Sequence, residues 1–146
     1  MSEIADATHV EVVTASGHEN VTGRHESTFE LTTDEYLTPA GDCILGIEAD
    51  RAPAEFGEEF VAACRDADAE ITAVLEAGDH TARVTARGDP ELTFASERSL
   101  VVRTSGYVDD RTVAVGAAAA AADLDRELIA ALAEGASLRL TLGVSP

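Results

Sequence analysis

Gly78-Asp79 separates two segments, 70–77 and 80–87, in which apolar and polar residues alternate. A two-residue link of this kind between alternating segments makes a tight hairpin, because glycine supplies the positive φ that the turn requires. Closing the ladder at Ala77 and His80 puts Ile71, Ala73 and Leu75 on one face with Ala82, Val84 and Ala86. The opposite face then matches Glu70 with Arg87 and Thr72 with Thr85. Arg83 and Arg87 are expected to serve Glu70 and Glu76 across this ladder. A chain with this hairpin is committed to an antiparallel sheet, and the remaining elements must cover its apolar face.

Alternation also predicts strands over 9–14 and 21–31, paired as a hairpin with Thr14 opposite Val21, Glu11 opposite Arg24 and His9 opposite Glu26. Its core face would carry Val10, Val12, His25, Ser27, Phe29 and Leu31. Thr38-Pro39-Ala40-Gly41 fits a type I turn leading into a strand at 42–49. Pro53 opens a helix over about 53–66. Strands follow at 91–95, 98–104 and 111–116, the last two as a hairpin. The alanine run 117–122 reads as the start of a helix over about 118–134, with Leu124, Leu128 and Leu132 on its buried face and Gly135 as its stop. A strand at 137–142 closes the chain. The expected class is α+β, a mainly antiparallel sheet of hairpins with two helices, in a single domain over 1–146. No internal repeat is visible beyond the alanine run.

Charge sets the solvent and removes chemistry. Twenty-eight acids face ten bases, a net charge of −18, and every base is arginine. With no lysine there is no Schiff-base or P-loop amine. The acids are spread along the chain, which reads as a solvating surface suited to molar salt, where the Debye length is ~3 Å. The opening MSEIADATHVEV lacks an export signal, and the longest apolar run, Val113–Ala122, is half of what a membrane span needs. Cys43 and Cys64 lie far apart without a CxxC motif, as in reduced cytoplasmic proteins. Aromatics at 4% and the lack of a basic stripe argue against nucleic acid. No spacing matches a metal motif, and none calls for a cofactor. No feature sets an oligomeric state.

The unusual polar residues gather between Gly17 and Asp42, as His18, Asn20, His25, Tyr36 and Asp42. Turn chemistry accounts for His18 and Asn20, and a hydrogen-bonded core position for His25. Cys43 and Cys64 read as buried, inert thiols. Arg103 and Arg111 would meet at the open end of the 98–116 hairpin and could clamp a carboxylate or phosphate. A salt-bridge network with Asp109, Asp110 or Asp42 competes with that reading. The leading expectation is a small domain binding an anionic metabolite, phosphorylated ones included, through His18, Asn20, His25, Asp42, Arg103 and Arg111. If the site is catalytic, His18 or His25 is its acid–base residue. The alternative is a non-enzymatic interaction or assembly module. Convergence of these side chains favours the first, and dispersal with each arginine paired to an acid favours the second.

Gly17-His18-Glu19-Asn20-Val21, His25, Thr28, Glu30, Leu37-Thr38, Gly41-Asp42-Cys43-Ile44 and Gly46 together resemble the archaeal family catalogued as domain of unknown function 371. Arg111-Thr112 and Asp123–Leu128 fit the same family, so the resemblance spans nearly the whole chain. It implies an archaeal, cytoplasmic protein, and with the acidity a halophilic one. It implies no activity.

Overall fold

The computed structural model describes residues 7–146 as eight strands and two helices in two four-stranded sheets. In chain order these are β1 (His9–Ser16), β2 (Thr28–Thr32), β3 (Ile44–Gly46), α1 (Glu58–Cys64), β4 (Glu70–Ala77), β5 (His80–Arg87), β6 (Ser99–Arg103), β7 (Thr112–Ala114), α2 (Arg126–Ala133) and β8 (Ser137–Ser145). The first sheet is antiparallel throughout, in the order β1-β8-β4-β5. The second has the order β3-β2-β6-β7, with β2 and β6 antiparallel and each edge strand parallel to its neighbour. The class is α+β, as expected. The core joins Leu138, Leu140, Leu142, Ile71 and Leu75 of the first sheet to Phe29, Leu31, Leu100 and Val102 of the second. Helix α1 lies on β1 and β8, and α2 lies on β4 and β5.

The β4–β5 hairpin has the predicted register, with Ala77 opposite His80, Thr72 opposite Thr85 and Glu70 opposite Arg87. Arg83, however, faces Val74, and Glu76 faces Thr81, so Arg83 has no carboxylate across the ladder. Other expectations change. β1 pairs with β8 and not with 21–31, and residues 21–25 form no strand, because turns and caps consume their polar groups. Val10, placed in the core by alternation, is 46% exposed. The 98–116 hairpin is instead the parallel pair β6–β7, and 91–95 is irregular. Each predicted helix is shorter and is preceded by a 3-10 turn, Pro53–Glu55 before α1 and Ala121–Asp123 before α2. The alanine run is therefore mostly irregular chain. Leu124, Leu128 and Leu132 are buried as predicted, and Gly135 ends α2 in the left-handed region at φ 94°.

An internal repeat, missed in the sequence, organises the whole molecule. Residues 9–77 and 80–145 run through the same order of three strands, a 3-10 turn, a helix and a strand. The details match. Ser16 bridges Ile47 as Arg87 bridges Val115, and the Glu30 amide donates to the Cys43 carbonyl as Val101 does to Arg111. Both 3-10 turns close with an acidic side chain on an alanine amide, Glu55 on Ala52 and Asp123 on Ala120. Positive φ recurs at Gly23 and Phe94, and at Glu48 and Gly116. The halves interleave, since β8 lies between β1 and β4. The pseudo-twofold axis passes between β2 and β6 at the Glu30–Val101 pair.

Candidate functional site

On β2, Phe29 and Leu31 point into the core, so Thr28, Glu30 and Thr32 face the other way. Ser99, Val101 and Arg103 of β6 lie opposite Thr32, Glu30 and Thr28 on that same outward face. No helix covers this face, yet its polar groups are sunk: Glu30 is 8% exposed, Thr32 1%, Ser99 5% and Thr112 0%. The loops 33–43 and 104–111 and the Ser96–Arg98 turn rise around it. The hollow they leave is a cleft of about 440 Å³, with Glu30, Thr32, Ser99 and Arg111 among its lining.

Glu30 sits at the base, on the pseudo-twofold axis, between residues that the repeat makes equivalent. Its Oε1 accepts a hydrogen bond from Cys43 Sγ at 3.3 Å. Its Oε2 lies 3.8 Å from Arg111 Nη1, close enough for attraction and too far for a hydrogen bond. A carboxylate has about four lone-pair sites, so this one keeps acceptor capacity toward the cleft. Burial, and then the neighbouring Glu30 carboxylate, push the Cys43 thiol up to about 11. The thiol therefore stays protonated near neutrality and serves as a donor, in keeping with its expected inertness. Cys64 is fully buried, and burial raises it to about 12.

Four carboxylates and two guanidinium groups surround the cleft, as Glu30, Asp34, Glu97 and Asp110 against Arg98 and Arg111. Arg98 spans the rim and donates twice from Nε and once from Nη2 to Asp34, at 2.6–3.0 Å. Those bonds hold the Asp34 carboxyl below its usual range. Arg111 is half-open, with 42% of its side chain exposed.

The six residues singled out in the sequence do not form one cluster. His18 accepts the Asn20 amide on Nδ1 at 3.0 Å, and Asn20 Nδ2 donates to the Leu37 carbonyl at 2.7 Å. Both are turn-building contacts outside the cleft. His25 Nδ1 accepts the amides of Ser27 and Thr28, at 3.2 Å each, and so caps the entry to β2. Ser96, its repeat partner, caps β6 in the same way through the amides of Arg98 and Ser99. The Asp42 carbonyl accepts from Arg24 and His25, tying His25 to the start of β3. Arg103 and Arg111 do meet, and Asp109 is what they meet on. Arg103 Nη2 reaches Asp109 Oδ2 at 3.0 Å, and Arg111 Nη2 reaches the same oxygen at 3.1 Å. Arg103 also donates to Thr112 Oγ1 and stacks on the Tyr107 ring, its Cζ 4.8 Å from the centroid. Burial opposes charge on Asp109, but bonds from the Arg111 amide and side chain and from Thr112 bring its carboxyl down to about 2. The arginine pair is thus paired to an acid. Only Arg111 also borders the cleft. Glu30, Thr32 and Ser99 were missed as site residues, because the residues that sink them come from distant loops. Among the described residues, no group of three or more His, Cys, Asp or Glu side chains could hold a metal ion.

Two interleaved βββαβ halves with a sunken acidic face on the shared axis define the class of this protein: a pseudo-symmetric α+β fold whose polar face lies at the join. The model of the domain of unknown function DUF371 matches residues 13–145, and the chain belongs to that family. It is also 35% identical over 127 residues to the uncharacterized protein MJ0206 of the archaeon Methanocaldococcus jannaschii, which covers 87% of this chain and 93% of the relative. Among the described residues, no helix is long and apolar enough to cross a membrane.

Proposed function

We propose that the chain binds a small polar metabolite in the cleft over β2 and β6, with a hydrogen-bond donor of the ligand on Glu30 and an anionic group on Arg111. The observation that carries this reading is Glu30, an 8% exposed residue whose Oε2 has only a guanidinium at 3.8 Å. That oxygen keeps acceptor capacity toward the cleft, and a ligand amine, amide or hydroxyl would supply a bond there. The anionic group expected of the ligand is assigned to Arg111, because it borders the cleft and its Nη1 makes no hydrogen bond among the described residues while its Nε and Nη2 hold Asp109. The two-to-one excess of carboxylates around the cleft favours a ligand that is zwitterionic or cationic overall. The spread of acids along the chain supports a cytoplasm rich in salt as its setting.

A thermal-shift panel in molar KCl tests the site, with α-amino acids and amino-sugar phosphates set against acetate and inorganic phosphate. A compound carrying both a donor and an acid group is expected to stabilise the fold, by about 2.7 kcal/mol at a hundredfold excess over its dissociation constant. Glu30→Gln and Arg111→Ala should each remove most of the shift. Equal shifts in both variants, or a response to phosphate alone, would sink the proposal. The dispersal of His18, Asn20, His25 and Asp42 into turns and caps supports the second reading, an interaction module, which a flat panel would favour.

A further inference from the structure

The internal repeat sets the two edge strands of the first sheet, β1 and β5, as counterparts, and the two halves treat those edges differently. Across the Gly78-Asp79 turn the closing pair Ala77–His80 belongs to the β4–β5 ladder. Thr81, Arg83, Thr85 and Arg87 then direct their backbone groups away from β4, and the outward bridge from Arg87 to Val115 agrees. In β1 the corresponding positions are Val10, Val12, Thr14 and Ser16.

The segment after β3 covers the β1 edge with side chains. Asp50 accepts the Thr14 amide at 3.0 Å and the Thr14 hydroxyl at 2.7 Å. Arg51 donates to the Val12 carbonyl at 3.1 Å and pairs with Glu11 at 2.5 Å. In the second half these two residues are replaced by Ala118 and Ala119. The Ala118 amide still donates to the Thr85 carbonyl, as the Asp50 amide does to Thr14, but no side chain follows. Among the described residues, nothing meets the Thr85 amide or the outward groups of Arg83 and Thr81. Such a row is a template for a further strand.

The side chains along this edge name the class of partner. Arg83 and Arg87 are exposed, and among the described residues neither lies within ion-pair distance of a carboxylate, on a chain that carries −18. Arg139 of β8 shares their face of the sheet, again without an ion pair among the described residues. A second copy pairing β5 with β5 would bring these arginines together, and like charges across a ladder repel. A strand with acids at every second residue would instead set its carboxylates beside Arg83 and Arg87. We propose that the open edge of β5 docks an acidic, extended segment of a protein partner as a ninth strand.

The test uses the full chain labelled with nitrogen-15, at the lowest salt in which it stays folded, because screening weakens the charge contribution. The probes are the peptides acetyl-EVEVE-amide and acetyl-RVRVR-amide. The acidic peptide is expected to shift the amides of Thr81, Arg83 and Thr85 and to slow their exchange, while the basic peptide leaves them unmoved. Arg83→Glu should weaken the acidic peptide about tenfold and reverse the preference. Arg83→Pro removes an outward amide that the β4 ladder does not use, so the fold should survive and docking should vanish. Equal responses to both peptides, no response, or protection of this edge by concentration-dependent self-association would overturn the inference. Glu30→Gln, which disables the cleft, should leave peptide docking intact.

Discussion

Gly17 and Gly88 are equivalent in the repeat, and both are required by close approach. A Cβ on Gly17 would run into the carbonyl oxygen of Leu132, and one on Gly88 into that of Cys64, each at the end of a helix. Backbone cannot yield as a side-chain tip can. Gly17→Ala and Gly88→Ala should therefore each cost about 2–4 kcal/mol, in the range of strained core substitutions, read from urea midpoints. Glu48 is the opposite case. It holds φ 54° where its counterpart Gly116 holds φ 59°, and the left-handed region costs a side-chain-bearing residue about 1–2 kcal/mol. Glu48→Gly should stabilise by about 0.5–1 kcal/mol, once glycine's greater entropy loss on folding is subtracted. The Cys43 thiol, raised to about 11 by burial and then by Glu30, should alkylate slowly at neutral pH. Because Glu30 disfavours the thiolate, Glu30→Gln should lower the thiol's pKa and speed its reaction with iodoacetamide at pH 8. An unchanged rate would mean that Glu30 is not what holds the proton on Cys43. Asp109 adds a second pH dependence. Its folded value of about 2 lies below an unfolded one of about 3.9, so its contribution is present above pH ~4 and fades as pH falls through ~2. Asp109→Asn should flatten the acid limb of the stability curve in that window.

At the scale of elements, interleaving makes each half dependent on the other. β1 and β4 belong to the first half, but β8 of the second separates them, so residues 1–78 alone would leave two strands without neighbours. Fragments 1–78 and 79–146 should each stay unfolded by circular dichroism and should combine one to one into a folded complex. A folded single fragment would contradict the exchanged topology. The hairpin within 70–87 was legible because its register depends on a local turn and on alternation that a one-residue slip would invert. Strand β1 was legible as a strand but not by its partner, since β8 lies more than a hundred residues away and nothing local selects it. Val13-Thr14-Ala15-Ser16-Gly17 against Val84-Thr85-Ala86-Arg87-Gly88 is the signal that could have revealed the repeat. With the halves aligned, the parallel β6–β7 pair and the 3-10 turns of one half would have predicted those of the other. The site was less legible still. His18 and Asn20 stood out by residue type yet build turns, whereas Glu30 looked like an ordinary outward strand residue until loops 33–43 and 104–111 enclosed it.

At the scale of the whole molecule, charge decides the conditions under which the other interactions are felt. Among the described residues the ion pairs are few and local, at Arg51, Arg98, Arg103 and Arg111, so most of the acids there repel one another without an ion-pair partner. In dilute buffer, where the Debye length is ~30 Å, that repulsion spans the domain and opposes the compact state. In molar KCl it is screened within ~3 Å, while the buried core and the part-buried Asp109 network are screened far less. Screening should therefore remove more repulsion than attraction, and the thermal midpoint should climb steeply with the first few hundred millimolar KCl. Potassium sulfate should raise it further at equal ionic strength, because sulfate also strengthens apolar burial. A midpoint indifferent to KCl would show that the acids are spaced widely enough to coexist in dilute solution. The acidity would then have to be explained by a partner and not by the solvent.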